Sequence, residues 1–343
     1  MNESLINFRK RCLEAALDLL WRQWCSLGVA GHSRPAEPAT IIDPEALLLA
    51  TTFIGKHDPR LFDECLDWLS QHASRLHLQR IRTMHSDSGL GDPVILGAIA
   101  DWLFSQGGKA KWKDFTKADV RYAEPVALFN GAAPADPDPV FAKRGILRPP
   151  VQVRGMSRDP NPTLPPNLLL SLRALIGTSA RAEVILCLAT GPAAHPAEIA
   201  RLTGYKARTM QLLLQEMALS GHVLTGETAL KPKGKQGRGS SRRYHLKAAD
   251  WQFLTDGATL PRWIWWPPLW SLVQTLLQVL PRQGEAEKHP AIISSAVRDH
   301  LAADGEALAA AGLLPRLNLR SGATGPELLA SLEATVPGML DSI

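Results

Sequence analysis

The sequence predicts a mainly α protein with one two-stranded β-hairpin, and three observations carry that prediction. Apolar residues recur three and four apart along much of the chain, the spacing of a buried helix face. Asp43-Pro44 and Asp58-Pro59 have the order that opens a helix, a capping acid followed by a residue that needs no hydrogen bond there. From Gly221 the chain turns into a strand, and Ser241 to Leu246 alternates as its half-buried return partner.

At 343 residues there is room for two or three domains of roughly 100–200 residues. A composition of 45% hydrophobic and 21% charged residues is that of a soluble globular protein. Cys12, Cys25, Cys65 and Cys187 are far apart and include no Cys-x-x-Cys. They read as reduced core residues of a cytoplasmic protein, not as a disulfide frame or zinc site. Glu14, Asp18 and Arg22 interrupt the apolar positions Leu13, Leu17, Leu20, Trp21 and Trp24. That excludes a signal peptide and suits an amphipathic helix. The longest apolar run, Leu269 to Leu280, contains Ser271, Gln274, Thr275 and Gln278 and falls short of the ~20 residues of a membrane span.

Residues 1–130 are expected to form an N-terminal helical domain. After the two Asp-Pro starts, Leu61, Phe62, Cys65, Trp68 and Leu69 share one helix face, and Leu76 to Met84 and Pro93 to Phe104 add further helices. Residues 131–166 hold nine of the 26 prolines, which lock φ and cannot donate to a ladder. They are expected to be a partly extended linker at a domain boundary, with Lys143, Arg144, Arg148, Arg154 and Arg158 in solvent. In a second domain, 167–250, Leu168 to Ile176 and Ala180 to Leu188 form helices, and Gly191-Pro192 stops the latter. A tryptophan-rich helical region, 251–343, follows, its first helix opened by Pro267-Pro268.

Pro196 to Thr203 is a short helix with His195 at its cap and Glu198 in its first turn, where negative charge suits the dipole. Gly204 supplies the sharp turn. The next helix, 206–219, places Met210, Leu213, Leu214 and Met217 inward and Lys206, Arg208, Thr209 and Gln211 outward. In a helix–turn–helix the leading end of the second helix enters the major groove. There Arg and Lys match guanine O6/N7, Gln matches adenine N6/N7, and Thr reaches a phosphate or a thymine methyl.

The loop between the strands is strongly basic. From Glu227 to Asp250 there are seven cations (Lys231, Lys233, Lys235, Arg238, Arg242, Arg243 and Lys247) and no acid between those two residues. The whole chain is +5, so the remainder is −2. Such a loop has nothing to bury, but it can lie along a polyanion and displace its counterions.

Ala180-Arg-Ala-Glu-Val-Ile-Leu-Cys-Leu, Ala197-Glu-Ile-Ala-Arg-Leu-Thr-Gly-Tyr and Met210 to Val223 together resemble the winged helix-turn-helix transcription regulators of the ArsR/MarR type. The resemblance covers about 80 residues. It implies a winged fold, double-stranded DNA as partner and a homodimer. Two departures stand out. Leu212 and Leu219 widen the apolar surface of the second helix, and the family's metal-sensing cysteines are absent.

The reading is thus of a dimeric DNA-binding repressor without cofactor or metal. Helix 206–219 would read bases, and the basic wing 231–247 would hold phosphates or the minor groove. The alternative is a protein-interaction component, antitoxin-like or a defence-system partner, whose winged helix holds another protein. Trp263, Trp265, Trp266 and Trp270 are candidates for a dimer or partner surface, because tryptophan is enriched at binding hot spots, or else for packing within the chain. Enzyme motifs are missing: there is no Walker loop, Rossmann fingerprint, Gly-x-Ser-x-Gly or His-Glu-x-x-His. His72, His77 and His85 with Cys65 match no common metal spacing.

Overall fold

The computed structural model describes residues 2–31, 39–107, 110–112, 115, 120–191, 194–227, 242–255, 260–285, 289–317 and 325–343. Among them run α1 (Asn2–Ser26), α2 (Pro44–Ile54), α3 (Pro59–His72), α4 (Leu78–Ser88) and α5 (Pro93–Ser105). Strands β1 (Val126–Ala127) and β2 (Ile146–Leu147) come next, then α6 (Leu168–Ile176), α7 (Ala180–Thr190), α8 (Pro196–Thr203) and α9 (Ala207–Leu219). After β3 (Val223–Glu227) and β4 (Arg242–Leu246) come α10 (Trp266–Val279), α11 (Pro290–Ala310) and α12 (Pro326–Asp341). The protein is mainly helical, with a small antiparallel β3–β4 sheet.

Two units emerge, each from separate stretches of chain. One comprises Met1–Glu37, Asp43–Asn161 and Trp266–Ile343; the other comprises Pro38–Ile42 and Pro162–Trp265. In the first, three long helices start at Asp-Pro: Asp43, Asp58 and Asp92 each accept two backbone N–H groups from the following turn. Asp43 also meets Arg80 of α4, whose Nη1 lies 2.6 Å from both Asp43 Oδ1 and Glu45 Oε2 in a fully buried ion cluster. Helix α2 is buried on nearly every side, as its run Ala46 to Ala50 requires. Trp24 and Trp68 pack edge to face at 5.4 Å, their indoles donating to Thr51 Oγ1 and Leu27 O.

The segment 131–166 does not behave as the expected linker. Through Asn161 it belongs to the first unit, with Phe141, Arg144, Arg148 and Ser157 buried. Asp138-Pro139 opens one further helical turn, Pro139–Ala142, and β2 pairs in parallel with β1. Proline forbids a regular ladder here, but side chains dock the strap instead. Arg148 Nη2 binds Asp63 at 2.6 Å while its guanidinium sits 5.2–5.8 Å from the rings of Phe62, Phe129 and Phe141. Arg144 binds Asp101 and lies against Gly97, where an added Cβ would come within 2.7 Å of its guanidinium. Asp67 accepts the N–H groups of Gly155 and Ser157. Arg144 and Arg148 hold the strap and are buried, whereas Lys143, Arg154 and Arg158 are exposed as expected.

The second unit joins α6–α9 and the β3–β4 hairpin to two stretches outside 167–250. Residues 39–42 contribute Ile41 to the core, with its N–H on Arg262 O at 3.0 Å, and Trp251, Leu254 and Trp265 pack against the same core. The expected C-terminal region therefore divides: 251–265 completes this unit, and 266–343 supplies α10–α12 to the other. Arg173 of α6 and Glu183 of α7 form a buried ion pair inside it.

Candidate nucleic-acid interface

Helix α8 begins where local chemistry places it. His195 Nδ1 accepts from Ala197 N–H, and Glu198 Oε2 accepts from His195 N–H at 3.0 Å, closing the cap from both sides. Gly204 ends the helix at φ +73°, the left-handed region that an L side chain rarely adopts, and turns the chain into α9. Met210, Leu213, Leu214 and Met217 of α9 are buried. At 100° per residue, the opposite stripe is Arg208, Leu212, Gln215 and Leu219.

Lys206, Arg208, Thr209 and Gln211 are all exposed at or near the leading end of α9. Arg208 Nη1 donates to Gln211 Oε1 at 3.2 Å, so the two share one polar surface before any partner arrives. The hairpin runs in register from Val223↔Leu246 to Glu227↔Arg242, and the chain before α8 adds a bridge, Ala194↔Tyr244. Tyr244 is thereby buried and Arg242 stands exposed at the start of β4. Lys231, Lys233, Lys235 and Arg238 lie outside the described residues.

Arg243 has a different place from the one expected. It forks onto Glu198, Nη1 to Oε2 at 2.7 Å and Nη2 to Oε1 at 2.8 Å, clamping β4 to the start of α8. Lys247 likewise meets Asp250, which also binds His222 Nδ1 at 2.8 Å. Glu216 is held by Arg181. Glu198, Glu216 and Asp250 are thus paired, while Arg201, Lys206 and Arg208 have no carboxylate within 4 Å among the described residues, and Arg242 stands opposite Glu227 in the hairpin register. Arg201 escaped sequence reasoning; its exposure on α8 follows from Ile199, Ala200 and Thr203 being buried beside it.

The tryptophans pack largely within the chain. Trp263 is buried and donates Nε1 to Leu202 O at 2.8 Å, and Trp265 is half-buried in the same unit. Trp266 and Trp270 are buried in the other unit, stacked at 6.3 Å. Large aromatic area is better satisfied in a core than in water, and here each ring found one. Among the described residues of the second unit the exposed large apolar side chains are instead Leu175, Leu212, Leu219, at 89%, and Leu224.

His77 caps α4 through Nδ1, His85 Nδ1 lies 2.8 Å from Leu90 O, and Cys65 is buried. Among the described residues no cluster of histidine, cysteine or carboxylate side chains has metal-binding geometry, and no helix is long and apolar enough to cross a membrane. No family model, no curated protein and no solved structure matches the chain.

Proposed function

We propose that the second unit is a winged helix–turn–helix and that the protein is a DNA-binding transcription regulator, acting as a dimeric repressor in the cytoplasm. The observation that carries the reading is the pair of exposed cations without acidic partners among the described residues, Lys206 and Arg208 at the leading end of α9, together with Arg242 exposed at the start of β4. Helix α9 reads base edges through Arg208, Thr209 and Gln211, and Lys231, Lys233, Lys235 and Arg238 with Arg242 neutralise phosphates. A symmetric dimer meets two half-sites about 10 bp apart.

Titration of fluorescent duplexes at several salt concentrations tests this. Replacing Lys231, Lys233, Lys235, Arg238 and Arg242 by Gln weakens binding to every sequence and flattens the salt dependence by roughly 0.9 for each phosphate no longer neutralised. Arg208→Ala relaxes discrimination at one base pair, by about 1–3 kcal/mol. Equal binding by the loop-neutralised protein and the parent removes the assignment.

A second reading, a protein-interaction component of the antitoxin or defence-partner kind, is favoured by one observation. Leu212 and Leu219 expose apolar area on the face of α9 that would otherwise meet DNA. A stoichiometric protein partner co-purifying from the native host, and lost in Leu219→Ser, supports this reading over the first.

A further inference from the structure

A cleft of about 290 Å³ runs between α3 and the strap, within the first unit. Asp63, Glu64 and Asp67 line it from α3, one side of the helix, while Phe62, Cys65, Leu66 and Leu69 enter the core. The strap closes the other side with Pro149, Pro150 and Gln152. Arg60 and Arg154, both exposed, complete the lining, with Arg60 lying over the Trp21 ring at 5.7 Å. Such a volume admits a small molecule, at the lower end of ligand pockets.

The three carboxylates are not equally satisfied. Asp67 accepts the N–H groups of Gly155 and Ser157 at 2.6 and 3.0 Å, one on each oxygen. Asp63 Oδ1 accepts from Arg148 at 2.6 Å, and its Oδ2 has no hydrogen bond among the described residues. Glu64 is only 4% exposed, yet its Oε2 has no partner at all. Its Oε1 meets only Arg154 Nη1, at 3.5 Å, a side chain 62% exposed. That separation is too long for a good N–H···O bond. The prolines account for the deficit. Backbone N–H groups of the strap satisfy Asp67, but Pro149 and Pro150 have none to offer. A carboxylate can only accept, so enclosing one without donors is costly. Burial accordingly pushes the Glu64 carboxyl above its ordinary range; Arg154 opposes the shift and Asp67 adds to it.

We propose that this cleft binds a small organic cation through the N–H groups of an ammonium or guanidinium, with Glu64 and Asp63 Oδ2 as acceptors. Such a group supplies the two things Glu64 lacks, a donor for Oε2 and a counter-charge closer than Arg154. The proline rings give an attached alkyl chain an apolar wall. Arg154, already mostly in water, moves off Glu64 at little cost. A metal ion fits less well, because Asp67 has both oxygens on backbone N–H groups and no three such side chains among the described residues converge as ligands. Three carboxylates repel a phosphate or a carboxylate. The site belongs to the first unit and does not rest on the reading of the second.

The test is thermal unfolding and calorimetric titration of the full chain with millimolar n-butylammonium and n-butylguanidinium chloride. Tetramethylammonium chloride at matched ionic strength is the control, since it carries the charge but no N–H. Tm rises with the concentration of at least one of the two N–H cations, as ligand linkage requires, and stays put in tetramethylammonium. Glu64→Gln, which keeps the shape and removes the charge, weakens the dissociation constant at least ten-fold. Arg154→Gln removes the competing cation from an exposed position and tightens binding, and it serves if Glu64→Gln fails to fold. An equal response to tetramethylammonium overturns the proposal, as does parental affinity in Glu64→Gln. So does the absence of any response to both N–H cations, or weaker binding in Arg154→Gln.

Discussion

Arg243 on β4 and Glu198 in the first turn of α8 meet through two charge-assisted hydrogen bonds of 2.7 and 2.8 Å. The same carboxylate accepts from His195 N–H, so one side chain ties the hairpin to the helix cap. This pairing makes Arg243 and its neighbour Arg242 different kinds of residue, although they are adjacent and identical.

Glu198→Ala and Arg243→Ala each cost about 1 kcal/mol, since the pair is bidentate yet roughly one-third exposed. Urea denaturation of both singles and the double measures the coupling. In duplex titrations Arg242→Gln lowers the salt slope by about one, and Arg243→Gln leaves it nearly unchanged. Equal slopes for the two variants would contradict the division.

The buried Arg173–Glu183 pair joins α6 to α7. Removing one partner leaves a lone charge in the core, so Arg173→Met or Glu183→Leu alone costs about 3–5 kcal/mol. The double replacement, apolar on both sides, recovers most of that loss. Additive losses in the double variant would show that packing, not charge, dominates.

Acid weakens the protein before carboxylates titrate. His57 sits near 4, pushed down by burial and then by Lys56, Arg9 and Arg282, and burial lowers His72 and His300 as well. An unfolded histidine protonates near 6.5. Between those values the unfolded chain holds the extra proton, so stability contributed by neutral His57 is full above pH 7 and declines as pH falls toward 4. For His57 alone the decline is about 2 kcal/mol after allowing for solvent screening. Denaturation at pH 5 and 7.5 in chloride buffer checks it, and His57→Gln flattens the difference.

Leu219 is 89% exposed and Leu212 nearly half. Leu219→Ser and Leu212→Ser therefore change stability by no more than about 0.5 kcal/mol. A loss well above that, read by thermal unfolding, would mean the two leucines are covered in solution.

Much of the candidate interface was legible because its signals are local. The His195 cap, the Gly204 turn and the inward stripe Met210, Leu213, Leu214 and Met217 each depend on residues within four positions, and all stand where the pattern put them. The strap was not legible. Its prolines suggested a linker, yet Arg148 finds Asp63 85 residues away, and Phe141 and Phe62 close around it. Asp138-Pro139 was the available signal, the same start that opens α2, α3 and α5.

By itself, the sequence determined which segments are helices, which face of each is apolar, where the chain turns and where positive charge accumulates. Those follow from backbone sterics and from spacing along a single element. Only the tertiary structure decided which charges are matched. It assigned Arg243 to Glu198, Arg148 to Asp63 and five tryptophans to two separate cores. Pairing between residues tens or hundreds of positions apart depends on how elements pack, and no periodicity along the chain encodes it.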